Sequence, residues 1–341
     1  MMARSIRRVK PRSRLYVLRY RIGEYSLRGF IALLPYIPFR LVEIFASFLA
    51  WTTYTVSRGY RQRMEDNLTA ALGKEIPRAE DRKALVKRAW LNFALGVLDT
   101  AAVTHYSKQD IIDRVKIEGE EHIRRALEMG KGVVGISAHL GQFTMIGARL
   151  AASGYPFSVV VKHPADERFA RLTDDYRTQL GLHTIPAKPR REAVRGILKA
   201  LRENRIVMII ADEFKSGDVM VDFFGMKLPA PRGPATMAIR TGAVTLPMFA
   251  TVQDDDSILL SVGAPIPAVE QEELEDSVVA TTARYTACLE AAIRRNPDQW
   301  NWLGLPNRNG TMSRAELARI SRASKKARAA EANAAAKKTG T

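Results

Sequence analysis

Four short β-branched runs separated by segments of helical period constrain this chain most. Val133–Ser137 precedes Met145–Ala152, Phe157–Val161 precedes Arg168–Leu180, Thr184–Pro186 precedes Ala193–Leu201, and Ile206–Ala211 closes the series. Strands that alternate with helices pair in parallel through crossovers, and their sheet is covered on both faces. Two more strands are expected at Met220–Phe224 and Val244–Val252, with a helix between them from about Gly233. Ile258–Val262 pairs with the second as a hairpin around Asp254-Asp255-Asp256, and Ser277–Arg295 reads as a long closing helix. Residues 59–106 are helical in period, with Trp90, Phe93, Ala94, Val97 and Leu98 on one stripe. The predicted fold class is α/β, with a mixed, mostly parallel central sheet flanked by helices and an N-terminal membrane-associated helical segment.

That last element rests on charge and hydropathy together. The net charge is +17, but it is concentrated at the ends. Residues 1–21 hold eight Lys/Arg and no acid, and residues 312–341 hold eight against two acids, which leaves +3 for residues 22–311. A nucleic-acid reader needs a basic face on its body, so nucleic acid is not an expected partner. An anionic membrane surface attracts such arms at about 1 kcal/mol per Lys/Arg. Between Gly29 and Ser57 the chain is rich in Phe, Leu, Ile, Tyr and Trp but broken by Pro35, Pro38, Arg40 and Glu43. The uncharged stretch after Glu43 falls short of the roughly 20 apolar residues of a span. The expectation is an interfacial helical hairpin; a tilted single span and a buried helix are the alternatives. Three regions follow: residues 1–57, a basic arm and anchoring segment; 58–311, the α/β domain; and 312–341, a basic Ala/Lys-rich tail.

The single cysteine, Cys288, excludes an internal disulfide and a cysteine-based metal cluster. The chain has no P-loop, dinucleotide fingerprint or metal-ligand spacing, so no cofactor and no metal are expected. Its most suggestive chemistry is in Gly132-Val133-Val134-Gly135-Ile136-Ser137-Ala138-His139-Leu140-Gly141-Gln142-Phe143. A buried strand ends in a histidine and a helix follows. The carboxyl ends of parallel strands are where α/β sheets bind ligands, and imidazole titrates near neutrality, as a general base must.

Five segments in order extend this reading. They are Ser137-Ala138-His139-Leu140-Gly141-Gln142-Phe143; Val161-Lys162-His163-Pro164 with Arg171 and Arg177; Ala211-Asp212-Glu213; Phe223-Phe224-Gly225 with Pro231-Arg232-Gly233-Pro234-Ala235; and Asn296-Pro297-Asp298-Gln299-Trp300-Asn301-Trp302. Over about residues 25–308 the chain resembles the late acyltransferases of lipid A biosynthesis. That resemblance implies transfer of a fatty acyl chain from acyl carrier protein to a hydroxyl of a lipid A precursor glycolipid, at the cytoplasmic face of a bacterial inner membrane. It implies His139 as base, with Arg177, Lys162 or a backbone N–H facing the developing oxyanion. Lys162, Arg171, Arg177, Arg190 and Arg191 are the cations available to a phosphorylated head group, and Gln142 and Thr144 flank the substrate.

The family pattern places Asp or Glu five positions after the histidine, where this chain has Thr144. Threonine offers a hydrogen bond but no charge to an imidazolium. Three readings stand: Asp212 or Glu213 substitutes from a second strand end, an altered dyad works more slowly, or the chain binds lipid without turnover.

Overall fold

The computed structural model describes residues 14–33, 36–37, 39–164, 166–214 and 217–306. The predicted tail, most of the basic N-terminal arm, and Pro35 and Pro38 lie outside them.

Helices come first: α1 (Arg14–Leu33), α2 (Phe39–Val56), α3 (Arg58–Leu72), α4 (Ala79–Ala102) and the short α5 (Lys108–Arg114). Ser107 starts α5 with a capping box, its hydroxyl accepting from the Asp110 N–H while the Asp110 carboxylate accepts from the Ser107 N–H. The first helix begins before Gly29, and the expected Gly29–Ser57 segment takes in its end and the whole of α2. Among the described residues, no helix is long and apolar enough to cross a membrane.

The α/β body follows as β1 (Val115–Glu118), α6 (Glu120–Glu128), β2 (Val133–Ser137), α7 (Met145–Ala152), β3 (Phe157–Val161), α8 (Glu167–Gln179), β4 (His183–Pro186), α9 (Arg190–Arg202) and β5 (Ile206–Ile210). It continues with β6 (Val219–Phe223), β7 (Met226–Ala230), α10 (Gly233–Thr241), β8 (Val244–Val252), β9 (Ile258–Val262) and α11 (Leu274–Arg295). Seven strands form one sheet in the order β1-β9-β8-β2-β5-β3-β4. Five of them, β8 through β4, are parallel; β9 returns antiparallel to β8, and β1 runs parallel to β9. β6 and β7 form a separate antiparallel hairpin, so the predicted strand at Met220–Phe224 exists but does not join the central sheet.

β2 lies between β5 and β8 and is buried at all five positions. A strand covered on both faces favours apolar side chains, which is why Val133-Val134-Gly135-Ile136 reads as a continuous apolar run before the buried Ser137. One core cluster includes Val134, Ile136, Leu201, Val207 and Leu289; another, on Val133, Met145, Phe157, Ile206 and Leu246, fills the other side. The first polar residues after β2 and β5 emerge together at the carboxyl edge.

Helix α2 is inverted relative to an ordinary surface helix. Its small residues Ala46 and Ala50 are buried, whereas Leu41, Ile44, Phe45, Phe48, Leu49 and Trp51 are exposed. The inner face meets α4, where Tyr54 packs edge-on against Trp90 and the Trp90 indole N–H donates to Thr53 Oγ1 at 3.1 Å.

Candidate active site

The pairing Ser137↔Ile210 aligns the ends of β2 and β5. Two residues further on, His139 and Asp212 meet. The His139 ring Nδ1 lies 2.8 Å from Asp212 Oδ1, and the His139 backbone N–H donates to Asp212 Oδ2 at 2.8 Å. The Trp300 indole N–H donates to the same Oδ2, also at 2.8 Å. Asp212 is only 2% exposed, while 44% of the His139 side chain remains open.

Protonation follows from this geometry. Burial is the strongest influence on Asp212 and opposes its ionisation. The hydrogen bond and charge of His139, with the Trp300 and His139 N–H donors, outweigh it and hold the carboxyl below its usual range. For His139, burial again acts first and disfavours the charged ring. The hydrogen bond and charge of Asp212, joined by the charge of Glu213, overcome it and raise the pKa above the ordinary imidazole value. An ionised carboxylate only accepts, so Nδ1 carries the proton and Nε2 of the neutral ring is left as the acceptor.

The loop that carries the ring is held from three sides. Gly141 N–H donates to Gln299 O at 2.8 Å, Gln142 N–H to Ala250 O at 2.8 Å, and Asn301 N–H to His139 O at 3.2 Å. Leu140 bridges Trp300 antiparallel, and Gly141 bridges Ala250. Gly141 has φ +55°, and a Cβ there would stand 2.3 Å from Ala250 O, so only glycine fits. Phe143 closes one side of the ring, edge to face at 5.0 Å.

Beneath Asp212 lies an aromatic floor. Trp300 packs against Phe223, Phe224 and Trp302 with centroids 4.9–6.2 Å apart, and Phe214 meets Phe223 at 4.3 Å. Sequence segments that are far apart therefore converge around one carboxylate. Trp300 is buried and also binds Asp212. A buried indole N–H needs an acceptor, and that was the available signal.

The other predicted residues are distributed around this centre. Glu213 follows Asp212 and acts on His139 through charge. Thr144 is engaged elsewhere, its hydroxyl 2.8 Å from that of Thr100 on α4. Gln142 is buried, its Oε1 without a partner among the described residues and near Gly96. Arg177 Nη1 donates to Asp174 Oδ1 at 2.7 Å, so its charge is already balanced on α8. Lys162 and Arg171 are exposed. Sequence reasoning missed Asp174, which also lies 2.7 Å from His163 Nε2. A larger cavity of about 620 Å³ opens at the opposite edge of the sheet, beside Val244 and Thr245 at the start of β8, away from His139. No group of three or more His, Cys, Asp or Glu suited to a metal occurs among the described residues.

The sequence profile of the bacterial lipid A biosynthesis acyltransferases matches residues 10–305. The chain belongs to that family. It is similar to the phosphatidylinositol mannoside acyltransferases of Mycolicibacterium smegmatis, at 28% identity over 213 residues, and Mycobacterium tuberculosis, at 30% over 199. These alignments cover 61% and 57% of this chain, and 68% and 62% of the relatives. A lipid A biosynthesis acyltransferase of Haemophilus influenzae is 23% identical over 224 residues, covering 64% of this chain and 68% of its own. The chain is an acyltransferase.

Proposed function

We propose that this acyltransferase moves a fatty acyl chain from an acyl carrier protein thioester to a hydroxyl of a glycolipid, with His139 as general base and Asp212 as its orienting partner. The observation that carries the proposal is the Nδ1–Oδ1 contact of 2.8 Å beneath an exposed ring. Nε2 takes the proton of the acceptor hydroxyl as its oxygen attacks the thioester carbon. The tetrahedral oxyanion collapses, the C–S bond breaks, and the imidazolium returns its proton to the leaving thiolate. Asp212 supplies the negative charge that Thr144 lacks, which favours turnover over passive lipid binding.

The oxyanion needs donors already in place. The backbone N–H groups of Phe143 and Thr144, at the start of α7, have no partner among the described residues. They are better placed for this role than Arg177, which is engaged with Asp174.

Two acceptor classes follow from the relatives: a lipid A precursor and a phosphatidylinositol mannoside. The higher identity to the second group supports a glycosylated inositol phospholipid as strongly as lipid A. The outward face of α2 supports action at a membrane surface; the cytoplasmic face of an inner membrane is proposed from the family resemblance alone. Fully burying each large apolar side chain contributes about 1.5–3 kcal/mol, and a contiguous exposed apolar face calls for a partner.

The test is mass spectrometry of lipids from cells lacking the protein and from cells carrying His139→Ala. Both should lack the same acyl chain, and the species that accumulates identifies the acceptor. Normal lipid profiles in both would overturn the proposal.

A further inference from the structure

The cavity of about 620 Å³ at the amino edge of the sheet stands apart from the dyad. Val244 in its wall pairs with Val133, and His139 comes six residues after Val133, roughly 20 Å along the sheet. Between them β2 is buried at every position, so packed core separates the cavity from the ring.

Helix α6, the end of α10, the start of β8 and the loop before α11 form the walls, with Met129, Ile239, Val244, Pro265 and Pro267 among their apolar residues. The loop is pinned in place. Ile266 N–H donates to Thr245 O at 2.9 Å, Val269 N–H to Thr281 Oγ1 at 2.9 Å, and Arg284 to Pro267 O at 3.1 Å. The walls are thus set before any ligand arrives, which lowers the cost of binding. Ligand cavities commonly measure about 300–1,000 Å³ and are mostly apolar with a few placed polar groups. This one has that character.

Its charges lie at the rim. Arg125 lines the cavity from α6. A Cβ built on Gly242, another lining residue, would stand 3.3 Å from Lys131 Nζ, so that ammonium lies against the same rim. Both cations are exposed, and neither forms an ion pair with a described residue. His122 is matched by Glu121 at 3.9 Å. Glu270 is the only carboxylate among the described lining residues. Two cations attract an anion, and the single acid disfavours a second negative charge on it. The walls contain no Phe, Tyr or Trp to stack on a planar ring. Ser277 Oγ already accepts from Gln271 N–H and donates to Glu273 O, so it offers little to a sugar. An aliphatic chain with one negative charge fits these walls best.

We infer that this cavity binds a single-chain fatty carboxylate, its chain against the apolar walls and its head group at Arg125 and Lys131. It is a second lipid site, separate from the acyl-transfer centre, and its occupancy does not depend on the proposed reaction.

The test is photolabelling of the full chain with a diazirine-bearing dodecanoate, followed by peptide mapping. Label is expected on the segments that carry Met129 and residues 265–269. Unlabelled dodecanoate should compete for that label at least tenfold more weakly in Arg125→Gln/Lys131→Gln, whereas dodecanol should compete equally in the variant and the unmodified chain. Glu270→Gln should strengthen competition by dodecyl phosphate more than by dodecanoate, because the phosphate carries the larger charge. Ala268→Trp should block the label by bulk. All four positions are exposed, so thermal unfolding and the kcat and KM of acyl transfer should stay unchanged. Label confined to peptides around His139 would overturn the site, as would label on Met129 that survives Ala268→Trp. Label blocked by Ala268→Trp, with dodecanoate competing equally in Arg125→Gln/Lys131→Gln, would overturn the carboxylate as its occupant.

Discussion

Trp300 is 88 residues from Asp212 in the chain, yet its indole N–H rests 2.8 Å from Asp212 Oδ2, the oxygen that also accepts from the His139 backbone. With Oδ1 on the ring and Oδ2 held twice, the carboxylate cannot rotate without breaking a bond. Trp300→Phe keeps most of the aromatic packing and removes one donor. The expected outcome is a kcat about tenfold lower, with a loss of about 1 kcal/mol in stability. Steady-state kinetics and thermal unfolding check the two parts separately. An unchanged kcat would show that the indole serves packing alone.

Asp212→Asn tests the dyad. The amide matches the carboxylate in size but cannot support an imidazolium or fix the Nδ1–H tautomer in the same way. In the Ser-His-Asp template the equivalent change costs about 10⁴ in rate, and a loss of that order is expected here. Asp212→Ala should also destabilise the fold, because three donors lose their acceptor in a buried site. Activity assays beside thermal unfolding distinguish the two variants.

Activity should fall on the acid side with a midpoint above the ordinary imidazole value of about 6.5, since His139 must be neutral to accept a proton and its pKa is raised. In Asp212→Asn the midpoint should move down. The stability linkage has its own sign: a raised folded-state pKa stabilises the fold below the unfolded value, and this contribution disappears as pH climbs through the raised one. A pH–rate profile with no acid limb would remove His139 as base.

Thr144→Ala removes one hydroxyl contact with Thr100 and no charge near the ring. Its expected effect is about 1 kcal/mol of stability and only a few-fold in rate. A loss as large as that of Asp212→Asn would give Thr144 a part in the chemistry.

Phe45→Glu/Phe48→Glu places two charges on the exposed face of α2 and leaves Ala46 and Ala50 in their packing. Sedimentation with anionic vesicles should show binding weakened at least 10²-fold, from the apolar burial lost at two positions. An unchanged vesicle affinity would locate membrane contact elsewhere.

Much of the fold was legible because the strands at its centre are apolar on both faces. β2, β3, β8 and β9 have the bounds expected from their runs, and the β8–β9 hairpin turns at the Asp triplet. β1 was not expected: four residues with a broken burial pattern, paired only to β9 at the sheet edge, carry little periodic signal. β7 was missed because its run is only five residues long and is broken by Lys227 and Pro229. At the site, His139 and the strand-end carboxylates could be named from their places after apolar runs. The choice of Asp212 over Glu213 as the hydrogen-bonding partner depends on side-chain direction beyond the strand end, which spacing alone does not fix. Arg177 was expected to be free, although Asp174 stands three residues before it, within reach on one helix face.

Because the segment from Asn296 to Trp302 fastens the His139 loop from across the chain, the enzyme is assembled last where it matters most. A ribosome that has delivered the whole sheet has still not supplied Gln299, Trp300 or Asn301, the residues that clamp the loop. A chain cut short before Asn296 keeps the Gln142–Ala250 and His139–Asp212 bonds but loses the Gln299 and Asn301 clamps on the loop and the Trp300 donor on Asp212.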